Sequence, residues 1–172
     1  SVTPAATVFT DTYTVTVNTG SGSGDLYIDM DADPVVRDRN NNPLILASPY
    51  RSDKWIIDKT RPTIDAVNPN TTNTNGNQII FTLAFSESVS AIDINDLQLN
   101  ATGVNVGVPV FNPPSGGASQ NHSVTVPVSG TGTLSLTVKN GASIVDFVGN
   151  TLSNSRTSAL VTVDQSPPAI VQ

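Results

Sequence analysis

The sequence has no cysteine, one histidine, one methionine and one tryptophan, and aromatic residues make up only 5% of it. Without cysteine there is no disulfide framework and no thiol chemistry, and the redox compartment stays open. The single histidine lies in Ser119-Gln120-Asn121-His122-Ser123, a turn entering a strand. No oriented acid or nucleophile stands near it in the sequence, so a triad has nothing to build on and an exposed, solvated imidazole is expected. Glutamate occurs once, at Glu87, so a paired-carboxylate hydrolase would have to be built largely from aspartates. Fourteen acidic residues against eight basic ones give a net charge of −6, with Lys and Arg scattered. A nucleic-acid partner wants a basic stripe, and none is present. No apolar run approaches the roughly 20 residues of a membrane helix, so no membrane insertion is expected, and no segment reads as a signal peptide. The Gly-rich stretches lack the Lys-Ser/Thr and the following helix of a phosphate cradle. Together these shortages point away from an enzyme.

What is present is β-rich. Hydrophobic residues are 37% and charged residues 13% of 172, which suits folded chain with room for one ordinary domain or two small ones. Short, mostly alternating, β-branched runs read as strands: Thr14–Val17, Leu26–Met30, Ile79–Phe85, Val104–Val110, Val124–Val128, Leu134–Val138 and Leu160–Val163. Turn chemistry separates them at 20–24, Asn75-Gly76-Asn77, 113–117 and Gly130-Thr131-Gly132.

The chain also resembles itself. Val36-Arg37-Asp38 and Asn42-Pro43-Leu44 align with Ile144-Val145-Asp146 and Asn150-Thr151-Leu152, 108 residues later. At that offset Leu26, Ile28 and Met30 fall on Leu134, Leu136 and Val138. Tyr13–Val17 answers Val124–Val128, and the stretch ending at Asp58-Lys59-Thr60-Arg61-Pro62-Thr63-Ile64 answers that ending at Asp164-Gln165-Ser166-Pro167-Pro168-Ala169-Ile170. The sequence thus holds two copies of one module, 1–60 and 61–172, and they are unequal. Ser1-Val2-Thr3-Pro4 resembles Ala66-Val67-Asn68-Pro69, yet Pro4 to Tyr13 spans 9 positions and Pro69 to Val124 spans 55. The first copy is short by about 46 residues, roughly three or four strands with their turns. The expected fold is all-β: tandem Greek-key sandwich modules, the second complete and the first not.

In the second copy Phe85-Ser86-Glu87-Ser88-Val89-Ser90 is followed by Asp96-Leu97, an alternating strand and Gly130-Thr131-Gly132-Thr133-Leu134. The Asp146-Phe147-Val148-Gly149-Asn150 turn comes next, and the module closes on Val161-Thr162-Val163-Asp164 with a Pro-containing linker. This order of motifs resembles the bacterial Ig-like repeat domains of large surface proteins and adhesins. The first copy departs from it, lacking the Phe-Ser-Glu segment and carrying Asn41 where Gly149 sits. The resemblance implies Ig-like sandwiches arranged as beads on a string, extracellular or cell-surface, structural and not enzymatic.

Two groups of acids are candidate hard-cation sites, since calcium takes six to eight oxygen ligands. At the module junction these are Asp38, Asp58 and Asp65; a weaker set is Asp29, Asp31 and Asp33, with Asp25 beside it. Each has an alternative. Asp and Asn side chains accept backbone N–H bonds in turns, and a strand face of acids discourages edge-to-edge aggregation. Calcium is therefore a possible cofactor, not a required one. Trp55, beside Ile56 and Ile57, reads as packed at a sandwich edge or junction. As an exposed ring it would instead suit a surface glycan or another host or cell partner. Three functions compete: a spacer repeat of a surface fibre or adhesin stalk, a filament subunit whose neighbours complete the short module by strand complementation, and a carbohydrate-binding module. In the first two the partners are other copies or neighbouring Ig-like modules.

Overall fold

A computed structural model describes residues 9–31, 36–46, 48–140 and 143–170, together with the backbone of Val2–Thr3. The chain separates into two compact units, Ser1–Lys59 and Thr60–Gln172. Both are built from strands; the described residues contain a single 3-10 turn, Ile94–Asp96, and no α-helix.

The second unit comprises β7 (Ile64–Pro69), β8 (Asn73–Thr74), β9 (Gln78–Val89), β10 (Leu97–Val106), β11 (Val110–Asn112), β12 (Ser119–Val138), β13 (Arg156–Thr157) and β14 (Val161–Val163). The first half of β12 joins one sheet, β7-β9-β12-β11, all antiparallel. Its second half joins another, with β10 along one edge, β13 and β14 along the other, and β8 parallel to β14. The period-2 alternation of β9 turns Ile79, Phe81, Leu83 and Phe85 inward, and β12 answers with Val124, Val126, Leu134, Leu136 and Val138, all buried. The two inner faces merge in one apolar cluster, a sandwich-like core.

Two expectations about this unit are corrected. Gly130-Thr131-Gly132 is no turn: β12 runs through it for 20 residues. A Cβ at Gly132 would collide with the Thr102 carbonyl oxygen, and one at Gly103 would lie 2.7 Å from the Thr131 carbonyl oxygen. The glycines therefore serve close strand approach, where β10 and β12 slip register between Thr102 and Val104. Val104–Val110 is likewise two elements, the end of β10 and the start of β11, separated by a non-strand segment at Gly107-Val108-Pro109.

The first unit comprises β1 (Val2–Thr3), β2 (Thr14–Val15), β3 (Gly24–Leu26), β4 (Asp29–Met30), β5 (Tyr50–Arg51) and β6 (Trp55–Ile57). They form three two-stranded ladders: β1-β2, β3-β6 and β4-β5. No hydrophobic side chain among its described residues belongs to a buried core. Trp55, expected to be packed, is half exposed: it lies on the two-stranded β3-β6 ladder, and no second sheet among the described residues covers it. The β1 pairing differs from that of its sequence counterpart. Val2 sits opposite Val15, whereas its sequence counterpart Val67 lies on β7, one strand removed from β12.

Candidate functional site

Several strand pairings of the first unit match pairings of the second. Gly24↔Ile57, Asp25↔Ile56 and Leu26↔Trp55 in the first reproduce Gly132↔Val163, Thr133↔Thr162 and Leu134↔Val161 in the second. Asp29↔Arg51 and Met30↔Tyr50 reproduce Thr137↔Thr157 and Val138↔Arg156. Between these ladders a serine hydroxyl stands in for a backbone acceptor in both. The Ile28 amide donates to Ser52 Oγ at 2.9 Å and the Ser52 amide to the Ile28 carbonyl at 2.9 Å. In the second unit the Leu136 amide donates to Ser158 Oγ at 3.0 Å and the Ser158 amide to the Leu136 carbonyl at 2.9 Å.

The turn acids recur in the same way. Asp38 Oδ1 accepts from the amides of Asn40 (2.9 Å) and Asn42 (2.8 Å), while Asn42 Nδ2 donates to Oδ2 at 2.9 Å. Asp146 Oδ1 accepts from the amides of Val148 (2.9 Å) and Asn150 (2.8 Å), and Asn150 Nδ2 donates to Oδ2 at 2.8 Å. Asn41 and Gly149 both adopt positive φ, 67° and 94°, so the sequence departure at that position is structurally neutral: Asn is among the few residues that tolerate left-handed backbone. The hydrogen bonds from the Asn42 side chain and amide hold the Asp38 carboxyl below its ordinary range. At Asp146 burial opposes the charged form, but the Asn150 side chain and the turn amides outweigh it and the group is also lowered.

Asp58 and Asp164 share a third motif. Ser23 Oγ donates to Asp58 Oδ1 at 3.2 Å and accepts from the Lys59 amide at 2.9 Å. Thr131 Oγ1 donates to Asp164 Oδ1 at 3.4 Å and accepts from the Gln165 amide at 3.3 Å. Among the candidate ligands, then, Asp38 and Asp58 each hold a turn or strand end of the first unit. Asp65 is exposed and accepts from Thr63 Oγ1 at 2.7 Å. In the weaker set, Arg51 grips both oxygens of Asp29, at 2.7 and 2.8 Å, and holds that carboxyl below its ordinary range. Lys54 lies 3.2 Å from Asp25. Asp31 is exposed, and Asp33 lies outside the described residues. Within the second unit Glu87 and Asp146 bring carboxylate oxygens within 4.8 Å of one another.

Three placements were missed in the sequence. His122 is buried, not solvated: Nε2 faces the carbonyl oxygens of Ser119 (2.9 Å) and Val89 (3.2 Å), and its ring meets Phe85 edge-on at 5.8 Å. The signal was there, since His122 shares the even-numbered face of Val124 and Val126. Asp96 is buried beneath a capping box, accepting from the Asp93 amide at 2.9 Å and the Ser143 amide at 2.8 Å. Arg61 ties the start of the second unit to its turn, donating to the Thr151 and Leu152 carbonyls at 2.8 Å each. Asn150 Nδ2 also donates to the Thr60 carbonyl at 3.0 Å. These contacts position backbone; they do not assemble a nucleophile with a base. No protein-family model, curated protein or solved structure matches the chain.

Proposed function

We propose that this chain is a non-catalytic structural segment of a bacterial extracellular fibre or adhesin stalk, built from tandem Ig-like Greek-key repeats. The observation that carries the reading is the recurrence of one hydrogen-bond pattern through two ladders, a serine bridge and an Asp-Asn turn, its residues offset by 108 positions up to that turn and by 106 after it. Repetition of a whole module serves length and mechanical continuity, and it needs no unique reactive group. The Arg61 and Asn150 contacts support it further, because they secure the point where a tensioned chain would enter the second unit.

Single-molecule pulling on the chain tests this. The second unit should yield in one cooperative event, releasing on the order of 400 Å of contour at about 3.5 Å per residue. Smooth extension without a force peak would remove the load-bearing role. A glycan-binding reading would rest on the half-exposed Trp55 ring. A glycan-array signal abolished by Trp55→Ala would replace the structural reading.

A further inference from the structure

In the second unit the segment Gly132–Val138 of β12 is flanked on both edges. β13 and β14 lie along one; β10 lies along the other, with Leu97 opposite Val138, Leu99 opposite Leu136 and Ala101 opposite Leu134. The counterpart in the first unit, Gly24–Met30, keeps β5 and β6 on its first edge, and no strand among the described residues pairs with its second. In an antiparallel ladder each residue turns its N–H and C=O to one side and its neighbours turn theirs to the other. Ile28 spends both groups on Ser52, so Asp25, Tyr27 and Asp29 present theirs to the open edge. The glycines report the same space. A Cβ on Gly132 would run into the Thr102 carbonyl and the Gly103 backbone, and one on Gly130 would lie 3.4 Å from the Gly103 carbonyl oxygen. Their counterparts Gly24 and Gly22 have nothing within 4 Å.

We propose that the Gly24–Met30 edge is an acceptor for one extended polypeptide strand of the β10 kind, Leu-x-Leu-x-Ala, supplied from outside these 172 residues. The proposal rests on the first unit being a copy of the second's module. The register follows from the second unit: the two leucines fall opposite Met30 and Ile28, and the alanine opposite Leu26. Backbone hydrogen bonds supply the affinity and the alternate side chains the specificity, as in other strand additions. Two observations argue against a second copy as the occupant. Its own β10 is committed, with Leu97 and Val104 buried in its own core. Pairing two open edges antiparallel about Tyr27 would set Asp25 of each copy against Asp29 of the other, a like-charge cross-strand pair. A β10-type strand instead brings a neutral amide. Asn100 Nδ2 donates to Thr137 Oγ1 at 3.1 Å, and Asp29 occupies the position of Thr137.

The test uses a synthetic peptide of residues 94–106 and the isotope-labelled 172-residue chain. Saturable binding should slow hydrogen exchange of the Tyr27 and Asp29 amides at least tenfold and leave the amides of β9 unchanged. Gly24→Val, which fills the open space, should weaken binding at least tenfold while the melting temperature of the free chain stays put. Absence of saturable binding overturns the proposal, as does equal binding by Gly24→Val. Protection of Tyr27 and Asp29 in a peptide-free dimer also overturns it, in favour of a second copy. The same spectra separate the two layers of argument. If Gly24–Ile57 and Leu26–Trp55 cross-strand contacts persist without peptide binding, only the acceptor proposal fails. If those contacts are missing, the repeat itself fails.

Discussion

The two units share hydrogen-bond register and differ in burial. Val126, Val138 and Leu152 are 0% exposed; their counterparts Val15, Met30 and Leu44 are 44, 39 and 40% exposed. The ladders, the serine bridge and the Asp-Asn turn are nonetheless the same in both. Register is thus carried by local devices: turn residues, a bridging hydroxyl and short cross-strand pairs. Burial is a property of two sheets facing each other, and among the described residues of the first unit no counterpart of β9 or β10 makes a facing sheet.

The largest expected difference is in cooperativity. Trp55 is the only tryptophan and lies in the first unit, so its fluorescence reports that unit alone. In urea, Trp55 fluorescence should change well before most of the far-UV circular dichroism, which the long strands of the second unit dominate. Coincident transitions would mean that the first unit is as well supported as the second, and the contrast in burial would lose its energetic meaning.

Core truncation sharpens the contrast residue by residue. Leu136→Ala removes a fully buried side chain and should cost about 2–5 kcal/mol of second-unit stability. Ile28→Ala, at the same module position but only half-buried, should cost less than about 1 kcal/mol, in proportion to the apolar area it covers. Gly132→Ala and Gly24→Ala form the backbone version of this pair. The first drives a methyl group into the Thr102 carbonyl and should destabilise by more than about 2 kcal/mol; the second meets open space and should leave the melting curve unmoved. Equal effects within either pair would break the comparison.

The second unit's core was legible because its strands alternate. Phe81, Leu83, Phe85, Leu134, Leu136 and Val138 follow period 2 and are all buried. His122 obeyed the same parity and was misread, since a polar residue in an Asn/Ser-rich stretch resembles a loop. The stretch at 130–132 misled for a related reason: glycine marks a turn in sequence, but here it answers the approach of β10, a contact between residues about 30 apart. The turn acids were legible as residues and ambiguous as chemistry. Asp-x-x-x-Asn fits an Asx turn or an oxygen-rich ligand set equally well until the donors around each carboxylate are placed. Asp96 was hidden because its partner, Ser143, lies 47 positions away.

The smallest expected difference lies in acid sensitivity of the two turns, and its sign follows from the carboxylates. Asp146 and Asp38 both have carboxyl groups lowered relative to the unfolded chain. A group lowered on folding stabilises the native state above its unfolded value, about 3.9 for Asp, and that contribution is lost as pH falls through the folded value. Asp146 is buried, so its hydrogen bonds act where water does not compete; Asp38 is exposed, and solvent screens its share. Asn150→Ala removes the donor to Asp146 Oδ2 and the tie to the Thr60 carbonyl. It should therefore lower second-unit stability at pH 7 by about 1–2 kcal/mol and move its acid unfolding midpoint to higher pH. Asn42→Ala should shift the first unit's response in the same direction by much less. Urea titrations at pH 7, 5 and 3, followed by Trp55 fluorescence and by the far-UV circular dichroism that the longer strands of the second unit dominate, decide this. An Asn150→Ala penalty that persists undiminished at pH 3 would show that the turn is held by packing and backbone bonds, with no contribution from the charge on Asp146.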